Sequence, residues 1–149
     1  MGGTNGLKET TLSVNVFTAP GKAMVGDRPR AFGEALGFDP ITSTLIFGEH
    51  DAVLVDAMMT VAEAEALADW VALHNCNLET IYITHAHFDH FYGLGILLDR
   101  FPGARAIATP KTLKAMQMSF TPAVERLARR LFPGQVPTKL LAPSSRWSA

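Results

Sequence analysis

Thr84-His85-Ala86-His87-Phe88-Asp89-His90 gathers three of the chain's five histidines and a carboxylate into seven consecutive positions. Imidazole and carboxylate are the usual ligands of zinc and its first-row neighbours. With five His and seven Asp in 149 residues, an H-x-H-x-D-H string arises by accident with a probability of about 3 × 10⁻⁴. The stretch therefore reads as a metal site. Thr80–Thr84 before it reads as a strand that ends where the histidines begin. Side chains at i and i+2 of an extended segment point the same way, so His85 and His87 can present their rings to one ion. The turn through Phe88 re-aims the chain and lets Asp89 and His90 face a second ion close by. A helix from Phe91 to about Phe101, closed by Pro102-Gly103, brings the positive end of its dipole beside these ligands. A closed structural zinc site normally takes four protein ligands, often paired cysteines, whereas Cys76 is the chain's single cysteine.

Working outward, Leu12–Phe17 alternates apolar and polar residues, the pattern of a strand half-buried on one face. Residues 18–40 carry Pro20, Gly21, Gly26, Pro29, Gly33, Gly37 and Pro40, a density of breakers that reads as a long loop able to overhang the site. Ile41–Phe47 and Ala52–Asp56 read as a hairpin turning at 48–51, the second strand continuously apolar as if covered on both faces. Thr60-Val61-Ala62-Glu63 is a capping box, opening a helix with Val61, Ala64, Leu67, Ala68 and Val71 on one stripe. His74 falls in its last turn and reads as structural, His50 as a solvated turn residue. A fifth strand covers 104–109. Pro110 suits the first position of a helix, and Thr121-Pro122 opens another whose arginines face outward. Strands come first, then helices alternate with strands. That order predicts an α/β fold with helices against one face of a mixed sheet.

The bulk numbers bound the rest. A length of 149 residues allows a single domain, with 1–11 and 143–149 read as loose ends. Hydrophobic content of 48% against 18% charged describes a folded protein. A net charge of −1 gives no support for nucleic-acid binding. The charge is nonetheless polarised. Residues 1–99 hold thirteen acids and four bases (net −9), and 100–149 hold one acid and nine bases (net +8), a hint of an anionic substrate or partner. One cysteine, no signal-peptide pattern and no long apolar run point to a cytoplasmic protein without a membrane span.

At these residues the chain resembles the metallo-β-lactamase fold hydrolases. THAHFDH at 84–90 matches their H-x-H-x-D-H signature, and Ala52–Asp56 matches the apolar strand ending in aspartate ahead of a helix. The resemblance covers roughly residues 12–142. It implies that His85 and His87 bind one metal and Asp89 and His90 a second. In single-metal members Asp89 acts instead in proton transfer, as the catalytic residue. It implies also that Asp56 braces the histidine loop by hydrogen bonds. The ion is usually zinc, one or two per site, with iron or manganese as variants. The activity implied is hydrolysis of a small molecule by a metal-bound hydroxide.

That family's complete fold is an αββα sandwich, and this chain resembles its N-terminal half. The family's further ligands lie downstream, and no histidine follows His90 here. The expectation is therefore a truncated, incomplete catalyst with a pocket walled by the 20–40 loop, Met58 and Met59. The alternative is a catalytically silent metal-binding remnant or an association module, self-associating through an exposed sheet face.

Overall fold

The computed structural model of the protein describes residues 11–26 and 36–144. Strand β1 (Ser13–Ala19) is followed by two short strands, β2 (Lys22–Ala23) and β3 (Gly37–Phe38), which pair with each other. Then come β4 (Ile41–Phe47), β5 (Asp51–Val55), α1 (Val61–Ala72), β6 (Asn77–Ile83), α2 (Leu94–Arg100), β7 (Arg105–Ala108), α3 (Pro110–Met116) and α4 (Pro122–Leu131). The main sheet has the order β1-β4-β5-β6-β7, antiparallel through β5 and parallel from β5 to β7. Two right-handed crossovers stepping in the same direction put α1 and α2 on the same face. The fold is thus the mixed α/β sheet with helices on one face that the sequence predicts.

Register explains where the core sits. Leu45, Leu54, Ile81 and Ala106 align across four strands and all are buried under the helices. α1 adds Ala64, Leu67, Ala68 and Val71, and α2 adds Leu94 and Leu97. The opposite face carries the rows Val16–Thr44–Val55–Tyr82–Ile107 and Val14–Ile46–Val53–Thr80–Arg105. Here Val14 is 60% and Val16 57% exposed. The period-two pattern of β1 holds, but its valines face away from the helices. Asn15 and Phe17 face the helical side instead, Asn15 bonding His74 Nε2 at 2.9 Å and Phe17 packing against Trp70 with the rings tilted. His74 also bonds the Trp70 carbonyl, so it ties the end of α1 to the sheet edge.

The capping box forms as read. Glu63 Oε2 accepts from the Thr60 backbone at 3.0 Å, and Thr60 Oγ1 accepts from Glu63 N at 3.3 Å. Glu63 has a further role that its position in the box does not reveal. Its Oε1 lies 2.6 Å from Lys22 Nζ, an ion pair almost out of water. Lys22 also sits over the Phe38 ring. Removing either charge would strand the other, so the pair pins the β2–β3 corner to the start of α1.

Several boundaries differ from the sequence reading. β6 starts at Asn77, because Asn77 and Leu78 pair with Asp51 and Ala52 despite the polar residues between them. The end of the histidine motif forms a single 3-10 turn, Phe88–His90, residues 91–93 continue as turn, and α2 starts only at Leu94. The part of the 18–40 loop at 27–35, the lead-in 1–10 and residues 145–149 lie outside the described residues. Ser144, within the stretch read as a loose tail, donates its N–H to Ala106 O at 2.9 Å. No helix among the described residues is long and apolar enough to cross a membrane.

Candidate metal centre

The site forms where β5 and β6 end, the carboxyl edge at which parallel sheets place their ligands. Asp56 leaves β5 with φ 67°, a left-handed conformation that aspartate tolerates better than most residues. Its backbone is fixed on both sides: N–H donates to Tyr82 O, and its carbonyl accepts from Ser43 Oγ, each at 2.9 Å. Its buried carboxylate is therefore aimed into the neighbouring loop. Oδ1 accepts from Thr84 N at 2.9 Å, Thr84 Oγ1 lies 3.0 and 2.8 Å from the two oxygens, and Oδ2 is 2.8 Å from His90 Nδ1. The loop is also stitched through its backbone, with Ala57 N donating to His90 O and Gly93 N to Met58 O.

These contacts determine which ring nitrogens remain free. A carboxylate only accepts, so His90 donates through Nδ1, and its Nε2 lone pair opens once the proton facing Asp89 is lost. Thr84 gives its hydroxyl proton to Asp56, and His85 Nδ1, 2.9 Å from Thr84 Oγ1, then donates to that oxygen. His85 Nε2 is left open as well. The His85 ring centroid stands 4.7 Å from that of His87 and 4.1 Å from that of His90. His90 Nε2 lies 3.3 Å from Asp89 Oδ2.

Electrostatics follows the same contacts. The hydrogen bonds that His90 donates to Asp56 and Asp89 raise its pKa to about 9 despite burial. Burial pushes Asp89 upward, but the hydrogen bond and charge of His90 outweigh it and hold the carboxyl below the usual range. Burial, then the charges of His90 and His87, lowers His85. Metal-free protein therefore carries a cationic His90 at neutral pH, and an ion must displace that proton. Because the folded pKa lies above the unfolded one, His90 stabilises the metal-free fold fully below about pH 6.5 and stops doing so as pH rises through about 9. Metal affinity is expected to rise over the same window. Thermal melts and zinc titrations between these limits check both slopes, and a flat affinity profile would contradict the assignment.

The donor set fits a divalent ion. Asp56, His85 and His90 each offer an atom, all within 4.8 Å of one another. Two ligands on a tetrahedral zinc lie about 3.4 Å apart at ordinary bond lengths, which the 3.3 Å between Asp89 and His90 matches. Of the five residues singled out in the sequence, Asp56, His85 and His90 form this group; His87 and Asp89 stand outside it, the His87 ring beside that of His85 and Asp89 beside His90. Beside them runs a groove of about 370 Å³, with Gly37, Asp39, Pro40 and Thr42 on one wall and Asp89 and His90 on the other. The end of the 18–40 loop thus flanks the site. Met58 and Met59 do not: both are buried in the core, because the chain turns inward once Asp56 is fixed. Among the described residues, no base of the C-terminal third lines this groove. Among the contributors that escaped the sequence reading are the Ser43 and Thr84 hydroxyls and Thr112, whose Oγ1 lies 3.4 Å from Thr84 O. A threonine ending a strand carries no local signal of such a link.

Comparison with known proteins agrees with this architecture. The sequence model of the metallo-beta-lactamase superfamily matches residues 36–131, well over half of the chain. Hydroxyacylglutathione hydrolase 1 of Vibrio vulnificus is 32% identical over 60 residues, 40% of this chain and 23% of that protein. A metallo-beta-lactamase of Pseudomonas aeruginosa, in its mono-zinc form, superimposes with a TM-score of 0.51 at 16% identity, over 73% of this chain and 46% of its own. One from Hirschia baltica gives 0.51 at 20%, over 74% and 48%. In each case this chain spans less than half of the relative's length.

Proposed function

Since the chain belongs to the metallo-beta-lactamase superfamily, we propose that it serves metal-dependent hydrolysis of a small-molecule substrate. His85 and His87 hold one ion, Asp89 and His90 a second, and Asp56 orients His90 directly and His85 through Thr84. One observation carries this reading: the Asp56–Thr84–His90 network ties down the Nδ1 atoms of His85 and His90, which leaves Nε2 of His85, and that of His90 once it gives up its proton beside Asp89, to take an ion. Imidazole with carboxylate suits zinc first, with iron and manganese as alternatives. Such an ion, when bound, lowers the pKa of water and stabilises charge on the leaving group.

The chain's own groups do the remaining work. Asp89 Oδ2, on the groove and held ionised by His90, accepts a proton from the attacking water where a single ion is present. The groove beside Asp39 and Thr42 receives part of the substrate. The residues gathered here give each ion fewer than the three protein ligands that catalytic zinc generally takes. The arrangement is thus expected to bind metal more readily than it turns over substrate.

Metal loading followed by assays on esters, lactams and phosphodiesters tests the proposal. One or two ions per chain are expected, with slow hydrolysis that a chelator abolishes and zinc restores. Metal at a hundredfold excess over its Kd is expected to stabilise the fold by about 2.7 kcal/mol. Metal-replete protein inert to every substrate class would leave the silent metal-binding reading in its place.

A further inference from the structure

Ser119 lies between α3 and α4, outside the histidine motif, and is buried. Its hydroxyl donates to the carbonyl of Ala86 at 2.9 Å. Ala86 is the residue between His85 and His87, so this bond fixes the peptide on which their relative aim depends. The Ser119 carbonyl accepts in turn from the Tyr92 hydroxyl at 2.8 Å. Tyr92 is fully buried and follows His90 by two residues. Ser119 therefore grips the motif loop at its middle and just beyond its end. The grip is itself anchored, because Ser119 N donates to the carbonyl of Met116 at 2.9 Å, a residue 1% exposed.

We infer that Ser119 is a positioning residue that sets the spacing of His85 and His87 before an ion arrives. The inference rests on their proposed role as ligands. A loop whose 86–87 peptide is free to rotate must be ordered when the ion binds, and that ordering weakens affinity. Groups that orient metal ligands typically cost tenfold to a hundredfold in affinity when removed.

Zinc competition against a chromophoric chelator, with parallel melts of the metal-free proteins, tests this on the full chain. Ser119→Ala is expected to bind zinc about tenfold more weakly, and Ser119→Thr, which keeps the hydroxyl, to recover most of that loss. A role in packing alone would lower the Tm of the metal-free protein and leave the affinity of the folded fraction unchanged, which would overturn the inference. Should the Ser119→Ala chain not fold, Tyr92→Phe carries the test, since it removes only the hydroxyl that holds the Ser119 carbonyl. Weaker zinc binding at full ring packing supports the inference, and unchanged binding refutes it. Wild-type protein that takes up no zinc would instead remove the metal assignment on which it stands.

Discussion

Gly93→Ala is expected to unfold the protein or to lower its Tm by more than about 10 °C. The backbone angle at Gly93, φ −74°, is open to any residue, so the requirement is one of space. A Cβ there would stand 2.3 Å from the Ala57 carbonyl oxygen and 2.7 Å from the Ala64 Cβ. Neither neighbour can yield cheaply. Ala57 is locked by its N–H bond to His90 O, and Gly93 by its own bond to Met58 O. Ala64 belongs to α1 and is fully buried. Overpacking a core usually costs about 1–3 kcal/mol. Here the clash is with backbone on one side and a helix on the other, and about 4 kcal/mol or more is expected, a large part of a typical 5–15 kcal/mol total. Gly95→Ala is the control. Its Cβ meets nothing closer than 3.5 Å, and alanine favours the interior of α2 by about 0.5–1 kcal/mol. The same substitution two residues apart is thus expected to have opposite signs in thermal melts. Equal Tm values for the two variants would mean that the loop is not seated against α1 in this way.

The close seating of Gly93 shows why parts of this fold were legible in the sequence and others were not. The proposed ligands are legible because their chemistry is rare and their spacing local: His85, His87, Asp89 and His90 lie within six consecutive positions. The Thr60–Glu63 capping box is local too. The orientation of β1 is not. Alternation reports that two faces differ, but which face meets the helices is decided by the pairing of Val14 with Ile46 and Val16 with Thr44, a long-range property. The start of α2 fails for a similar reason. Bonds from Ala57 and Gly93 between the two loops override the helical preference of Phe91–Gly93 and hold the chain in a tighter turn. Met58 and Met59 read as pocket wall because they follow Asp56 by only two and three residues. Only the geometry at Asp56 reveals that the chain turns into the core. Ser119 reaches Ala86 across 33 positions, and no periodicity or motif encodes such a contact.

Asp56→Ala is expected to separate what the carboxylate does for the fold from what it does for the metal. The substitution leaves Thr84 N–H and His90 Nδ1–H without their acceptor, and each such loss in a half-buried setting costs about 1–3 kcal/mol. Alanine at φ 67° adds about 1 kcal/mol or more. A stability loss of about 3–5 kcal/mol follows, measurable by urea denaturation of the metal-free protein. The effect on metal has a different origin. Without Asp56, His90 loses the first cause of its raised pKa and is free to turn Nδ1 toward the ion, while Thr84 no longer steers His85. Zinc affinity is then expected to fall by about a hundredfold. Asp56→Asn distinguishes the two effects. Asparagine also tolerates the left-handed conformation, and its single carbonyl oxygen can still accept from Thr84 N–H. It cannot accept from His90 through the second position, where it presents a donor. Most of the stability should therefore return with asparagine, whereas the zinc affinity should stay near that of the alanine variant and His90 should titrate closer to its ordinary range. An asparagine variant with wild-type affinity would reduce Asp56 to a scaffold residue and place the orientation of the ligands elsewhere in the loop.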